Sequence, residues 1–398
     1  MIFNRHYFAP VVSKSKCAAL WELGKVLLSW TNPKCQNCRT KVLLVTYLPM
    51  NIREHLIEGQ AIPACPLALD ENRRFDERHQ RALARYYVAS GAGGLAVAVH
   101  STQFEISEPE HALLRPVLEL VSQTIDESLA KAPRPFIKVS GVCGGTEQAV
   151  AEAQLSRELG YEASLLSLAA LKDSSVEEML EHSRIVSQEI PIIGFYLQPS
   201  VGGRILPYEF WREFAEIENV VAIKMAPFNR FQTIDVVRAV VESGRDDIAL
   251  YTGNDDNIVI DLLTEWEFER NGQKVSRQIV GGLLGHWAVW TQNVVGLLDE
   301  IKSARMQPTL DTKWLTRAVA VTDCNAAFFD PAHQFAGCIP GIHEVLRRQG
   351  LLKGTWCLNP QEVLSPGQSE EIDRVYAAYP ELNDDAFVKE HLDEWLGN

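Results

Sequence analysis

Eight short apolar segments recur between residues 61 and 285, and their regular spacing constrains the fold more than any other feature of this sequence. Each segment has the length and the apolar content of a buried strand, and most begin roughly 27 to 33 residues after the previous one. They begin near Ala61, Gly94, Pro135, Glu162, Pro191, Val220, Ile248 and Gln278. Helical patterns fill the intervals, so the sequence predicts repeating βα units.

Eight strands, each followed by a helix, predict an α/β protein with a (β/α)8 barrel, also called a TIM barrel. A doubly wound open sheet is the alternative. The barrel is favoured because the count is eight and no glycine-rich GxGxxG phosphate loop follows the first strand. One irregularity precedes the eighth strand, where alternation around Asn271–Gly272 predicts a β-hairpin. We expect this hairpin at the N-terminal end of the barrel, away from an active site.

Three regions are expected along the chain. Residues 1–60 form an N-terminal extension, residues 61–305 the barrel, and residues 306–398 a C-terminal helical region. The segment beginning at Met50 leads straight into the barrel, so our hypothesis is that residues 1–49 are an over-extended gene model. Cys35 and Cys38 form a CxxC pair that could be half a zinc site or a redox pair. No second pair completes a four-ligand set, which favours an adventitious pair.

Composition narrows the range of partners. The 398-residue chain has a formal net charge of -14 and a pI of about 5.3, which argues against nucleic acid and anionic membranes as partners. Several of its eight cysteines lie in apolar contexts, as expected of buried thiols in a reducing compartment. No run reaches the roughly 18 apolar residues of a membrane span. These features predict a cytoplasmic location.

A charged residue stands inside the sixth apolar segment. Lys224 has apolar neighbours on both sides and no acidic residue within three positions. A lysine without water around it loses affinity for its proton, and its neutral amine can act as a nucleophile near neutral pH. We interpret Lys224 as a Schiff-base lysine, although a snorkelling or ion-paired lysine is the alternative. Lys138, in the third segment, is the competing candidate.

Tyr196 ends the fifth segment, one βα unit before Lys224. A tyrosine at a strand end is often only a packed aromatic side chain. Here Pro199, Gly202 and Gly203 follow, and they predict a tight turn that would hold the phenol over the barrel mouth. Tyr196 is therefore the second candidate catalytic residue.

Tyr196, Pro199, Ser200 and Gly203, with Lys224 placed 28 residues after the tyrosine, resemble the signature of the dihydrodipicolinate synthase / N-acetylneuraminate lyase family. Other matches occur in the family's order and cover about residues 61–350. They are Ala64–Leu67 in the first strand, His100–Thr102 at the family's carboxylate-binding turn, and Thr252–Asp255 at its Ser-Gly-Asp-Asp motif.

The resemblance implies class I aldolase-type chemistry, in which pyruvate or another 2-oxo acid condenses with Lys224. Tyr196 would relay protons, and Ser101 and Thr102 would hold the substrate carboxylate through N–H groups and hydroxyls. The resemblance implies no metal or nucleotide cofactor. It further implies a second substrate that is an aldehyde or sugar acid, and a homo-oligomer, either a dimer or a tetramer.

The chain departs from the family in the half of the site that binds the second substrate. Synthases carry an arginine where this chain has Val201, and Arg204, close by, is our candidate replacement. Residues 167–171 lack the second tyrosine of the synthases. Gly282, in a glycine-rich strand-eight turn, is the last predicted substrate contact. These departures argue against a lysine-biosynthesis synthase and for a more apolar acceptor pocket.

Three functions stay open at this point. The first is a Schiff-base lyase, aldolase or dehydratase, with His100 and His286 as further acid–base candidates. The second is a barrel enzyme that uses Lys224 as a general base. The third is a non-catalytic or regulatory barrel protein that binds a small 2-oxo acid.

Overall fold

The computed structural model describes residues 50–397 and, before them, the backbone of two strands, Val26–Trp30 (β1) and Lys41–Val45 (β2). These two strands pair antiparallel. The chain divides into two compact units, Met1–Asn51 and Ile52–Asn398, so the C-terminal helices belong to the same unit as the barrel. The CxxC pair of Cys35 and Cys38 lies outside the described residues.

Eight parallel strands form one sheet in the second unit. In chain order the strands are β3 (Ala61–Pro63), β4 (Gly94–Val97), β5 (Ile137–Val142), β6 (Ala163–Leu166), β7 (Ile192–Leu197), β8 (Val220–Ala226), β9 (Ala249–Thr252) and, after the β10–β11 hairpin (Glu265–Arg270 and Gln273–Gln278), β12 (Gly281–Leu284). Their order in the sheet is β3-β12-β9-β8-β7-β6-β5-β4. A parallel bridge between Ala64 and Ala96 joins the two outer strands. The sheet is therefore a barrel, which confirms the prediction and excludes the open sheet.

Helices surround the barrel and continue beyond it. They are α1 (Ile52–Ile57), α2 (Glu77–Ala89), α3 (Leu114–Lys131), α4 (Thr146–Glu158), α5 (Val176–Ser187), α6 (Tyr208–Phe214), α7 (Arg230–Ser243), α8 (Ile258–Leu263), α9 (Thr291–Arg305), α10 (Lys313–Phe329), α11 (Cys338–Arg348), α12 (Gln368–Ala378) and α13 (Asp385–Leu396). Local sequence sets their ends. The Asn229 side chain accepts from the first N–H groups of α7, and Gly244 ends that helix with a φ of 76°. In residues 50–397 no helix is long and apolar enough to cross a membrane.

The strands are buried on both faces, which explains why they read as continuous apolar runs. All seven residues of β8 are buried, with Lys224 among them. Lys138, the competing lysine on β5, points instead toward the helix layer. Its ammonium donates to Asp126 at 2.9 Å and to Ser122 at 3.1 Å, so it is an ion-paired structural lysine.

The hairpin lies where the sequence predicts it. Arg270 and Arg277 both pair with Asp246, which precedes β9 and so marks the N-terminal end of the barrel. The C-terminal helices pack at the opposite end. There the Asn325 amide of α10 donates to the Asp255 carbonyl at 2.5 Å, and the Leu358 N–H donates to the Gln103 side chain at 2.6 Å.

Candidate active site

Lys224 lies in a small cavity at the C-terminal end of the barrel. The residue is 8% exposed, and its Nζ stands 4.2 Å from the centroid of the Phe195 ring. The cavity is otherwise mostly apolar, with Leu197, Val201, Phe228, Phe329, Phe335 and Ile342 among its lining residues. Active sites of (β/α)8 proteins form at this end of the barrel. The structure therefore places Lys224 where chemistry is possible in this fold.

Gly253 makes room for the lysine. A Cβ atom at this position would stand 2.8 Å from Cε of Lys224 and 2.9 Å from the side chain of Ala226. The Gly253 N–H donates to the carbonyl of Met225 at 2.6 Å, which fixes the end of β9 against β8. The absence of a side chain at Gly253 thus permits the close approach of backbone to the Lys224 stem.

The charge state of Lys224 depends on its burial. Loss of hydration lowers its pKa from the ordinary 10.5 to about 8, and the nearby Asp255 carboxylate opposes that change. Burial in turn raises the pKa of Asp255 to about 7, with Lys224 as the main opposing influence. Among the described residues no carboxylate oxygen lies within 4.0 Å of Lys224 Nζ. The two groups face one cavity without a direct ion pair.

Tyr196 does not reach this cavity, and the prediction that its phenol lies over the barrel mouth is wrong. Its side chain is fully buried and faces the helix layer, where its ring packs on Trp211 with 5.2 Å between centroids. The phenol donates to the Leu206 carbonyl and accepts from the Leu206 N–H, both at 3.2 Å. Phe195, the preceding residue, faces Lys224 instead.

An irregularity in strand pairing explains this reversal. Ile192 pairs with Val220, 28 positions later, but Ile193 pairs with Ala222, 29 positions later. An unbroken ladder would set Tyr196 opposite Lys224, whereas the extra residue sets Phe195 opposite Lys224. Because side chains alternate between the faces of a strand, a shift of one residue moves the tyrosine to the other face.

Ser101 and Thr102 lie at the turn that the sequence predicts, in a single 3-10 turn after β4. Their hydroxyls tie the turn to the end of β3, since Ser101 donates to the Ala64 carbonyl at 2.9 Å and Thr102 donates to that of Cys65 at 2.6 Å. Ser101 lines the cavity, whereas Thr102 is fully buried. Within residues 50–397 the N–H groups of His100 and Ser101 have no hydrogen-bond acceptor.

Two predicted substrate contacts are wrong. The Arg204 guanidinium donates to the carbonyls of Lys172 at 2.8 Å and Ser174 at 2.7 Å, so it tethers loops and does not line the cavity. Gly282 lies inside β12, where a Cβ atom would stand 2.6 Å from the Trp287 ring. Gly285, at the end of that segment, lines the cavity instead.

The two candidate histidines differ in position. His100 lines the cavity, and burial together with the charge of Lys224 lowers its pKa to about 4. It borders a second, outer groove lined by Glu105, Glu108, Glu152 and Glu362. His286 stacks on Phe328 and does not line the cavity, and burial lowers its pKa to about 4. Both imidazoles are therefore neutral near pH 7.

Several residues of the cavity are absent from the sequence-based set of site residues. Asp255 has a sequence signal, since it belongs to a matched motif after the seventh strand. The position of Phe195 in the cavity follows from the alternation of side chains along β7, once the register with β8 is known. Phe335 and Cys338 come from the C-terminal region and cover the barrel mouth. Both residues contact a site that lies over a hundred residues earlier in the chain, and no local sequence pattern predicts this contact.

These features define a (β/α)8 protein with a buried amine in a cavity at the carboxyl ends of its strands. The chain belongs to the Dihydrodipicolinate synthetase family, whose model matches residues 59–264. The 4-hydroxy-tetrahydrodipicolinate synthase of Desulforudis audaxviator is 27% identical over 208 residues, which cover 52% of this chain and 66% of that protein. The chain thus spans just under two thirds of this relative and about half of other synthase relatives.

Solved structures agree on the fold. Dihydrodipicolinate synthase from Thermotoga maritima is 17% identical with a TM-score of 0.64, and the match covers 81% of this chain and 99% of that one. YagE, a member of the dihydrodipicolinic acid synthase family from E. coli K12 solved in complex with pyruvate, is 14% identical with a TM-score of 0.63 and coverage of 81% and 98%. At these identities the likeness concerns the fold.

Proposed function

We propose that this protein forms a Schiff base between Lys224 and pyruvate or another 2-oxo acid, and acts as a lyase, aldolase or dehydratase. One observation carries the proposal. Lys224 is a buried, unpaired lysine whose pKa is lowered to about 8, inside a cavity at the carboxyl ends of the barrel strands. A neutral amine in such a place is the nucleophile that imine formation requires.

The chemistry follows from the amine. The Lys224 nitrogen attacks the C2 carbonyl of the 2-oxo acid, water leaves, and the resulting iminium draws electrons from the C2–C3 region. C3 then loses a proton or a carbon substituent more easily. The unpaired N–H groups of His100 and Ser101 would donate hydrogen bonds to the substrate carboxylate.

The residues that line the cavity around Lys224 favour a second substrate, or acceptor, other than that of a lysine-biosynthesis synthase. Among the described residues that line the cavity, Lys224 is the only lysine or arginine. Phe228, Phe329 and Phe335 supply apolar surface there, and the outer groove beside His100 is lined by glutamates. We propose an acceptor without a distal carboxylate, because none of these groups would neutralise one.

Borohydride trapping tests the imine. Protein incubated with pyruvate and borohydride should gain one covalent adduct by intact mass, and Lys224→Ala should gain none. Lys138→Ala is a matched control, because Lys138 is 7% exposed on a barrel strand, as Lys224 is 8% exposed, but pairs with Asp126 in the helix layer. No adduct with pyruvate or with any of a panel of 2-oxo acids would overturn the proposal.

Trapping also separates the alternative functions. A wild-type adduct without turnover of any aldehyde favours a protein that only binds a 2-oxo acid. Turnover without an adduct favours Lys224 as a general base. We expect the active form to be a homo-oligomer, which sedimentation velocity would measure.

A further inference from the structure

Among the described residues, Asp255 is the acidic residue that lines the cavity together with Lys224. It follows β9, the strand next to β8 in the sheet, and this places both residues at the same end of the barrel. The glycine at position 253 brings the lysine stem against the start of this loop. Lys224 is the main charge acting on Asp255, and Asp255 the main charge acting on Lys224.

The loop that carries Asp255 is held by hydrogen bonds to buried groups. The fully buried Asp261 carboxylate accepts from the Thr252 hydroxyl at 2.8 Å and from the Asn254 amide at 2.9 Å. The Asn325 amide donates to the Asp255 carbonyl at 2.5 Å from the other side. The chain on both sides of Asp255 is therefore anchored, as expected of a residue that must keep one position toward a reacting group.

The other titratable groups in or near the cavity are poorly suited to take a proton. Tyr196 faces away from the cavity and is bonded to Leu206. Burial, and after it the positive charge of Lys224, lowers the pKa of His100 and holds it neutral. Burial raises the pKa of the Cys338 thiol, which keeps it protonated. The pKa of Asp255, raised to about 7, suits a general base that works near neutral pH.

We propose that the Asp255 carboxylate takes the proton from C3 of the 2-oxo acid bound to Lys224 and returns it to the acceptor. This inference rests on the Schiff base of the proposed function. The C3–H bond breaks, its electron pair forms the C2=C3 bond, and the iminium nitrogen receives the C2=N pair. When C3 bonds to an acceptor aldehyde, the protonated Asp255 gives its proton to the new alkoxide oxygen.

Exchange of the methyl hydrogens of pyruvate in D2O, followed by NMR, measures the C3 step without any acceptor. Wild-type protein should catalyse the exchange, and Asp255→Asn should lower its rate by about 100-fold or more while still forming the reduced pyruvate adduct. Asp256→Asn is the matched control, because Asp256 is an exposed residue that does not line the cavity. Asp255→Ser is a second variant, in case asparagine at this position prevents folding. Circular dichroism of each variant checks that it is folded.

The outcomes separate this inference from the proposed function. If wild-type protein forms no pyruvate adduct, both are overturned. If it forms the adduct and a folded Asp255→Asn or Asp255→Ser variant exchanges hydrogen at the wild-type rate, only the role of Asp255 is overturned. A folded variant that loses the adduct also contradicts it, since Asp255 would then serve imine formation.

Discussion

The burial of Lys224 should make its amine reactive at a lower pH than that of an ordinary lysine. Burial lowers its pKa from 10.5 to about 8, against the opposing charge of Asp255. At pH 7 about one molecule in ten then carries the neutral amine, against about one in 3,000 for an ordinary lysine. The reactive fraction is therefore raised by about 300-fold. Reaction of Lys224 with an amine reagent should rise tenfold for each pH unit and level off above about pH 8.

Competitive labelling with trace acetic anhydride measures this curve for one residue. The Lys224 peptide is quantified by mass spectrometry from pH 6 to pH 11 against an added peptide amine as the internal standard. Because the Asp255 carboxylate raises the Lys224 pKa, Asp255→Asn should move the midpoint to lower pH. Excess pyruvate should protect Lys224 from the reagent.

A labelling curve without a plateau would contradict the lowered pKa of Lys224. If acetylation of Lys224 keeps rising to pH 10 and beyond, the amine holds its proton as an exposed lysine does. The cavity would then not prepare a nucleophile at neutral pH. A plateau with an unchanged midpoint in Asp255→Asn would leave burial as the cause and remove the electrostatic link between the two groups.

Three further substitutions test the account. Lys224→Met should raise the free energy of unfolding, measured by urea denaturation, by roughly 2–3 kcal/mol at pH 6.5 and by little at pH 10. The reason is the lowered pKa, which means that charged Lys224 destabilises the fold below about pH 8. This cost disappears as the pH passes 10.5. Tyr196→Phe should cost about 1–3 kcal/mol through the two lost bonds to Leu206 and leave the rate of pyruvate trapping unchanged; a large loss of trapping would restore Tyr196 to the site. Gly253→Ala should slow trapping roughly tenfold by displacing the Lys224 stem, with the circular dichroism spectrum unchanged; trapping at the wild-type rate would contradict this.

The fold was accessible from the sequence because its signals are local and repeated. Strands of a parallel barrel are buried on both faces and read as apolar runs, and the helices between them end at residues such as Gly244. Asn271–Gly272 marked the hairpin for the same reason. Element bounds moved by a few residues only, as with β5, which begins at Ile137 rather than near Pro135.

The site was accessible only in part. Lys224 is conspicuous because it interrupts an apolar run. The orientation of Tyr196 depends on one extra residue in the pairing of β7 with β8. No residue type in the sequence marks such a shift. The apolar cover of the cavity comes from Phe329 and Phe335, and contact over that sequence distance depends on how the C-terminal helices pack.

A crystal structure of the protein soaked with pyruvate would show whether Lys224 forms the imine. We predict continuous electron density between Nζ of Lys224 and C2 of pyruvate, with the Asp255 carboxyl facing C3 and Tyr196 still bonded to Leu206. Pyruvate bound without a covalent link to Lys224, or absent from this cavity at saturating concentration, would contradict the assignment of Lys224 as the imine-forming residue.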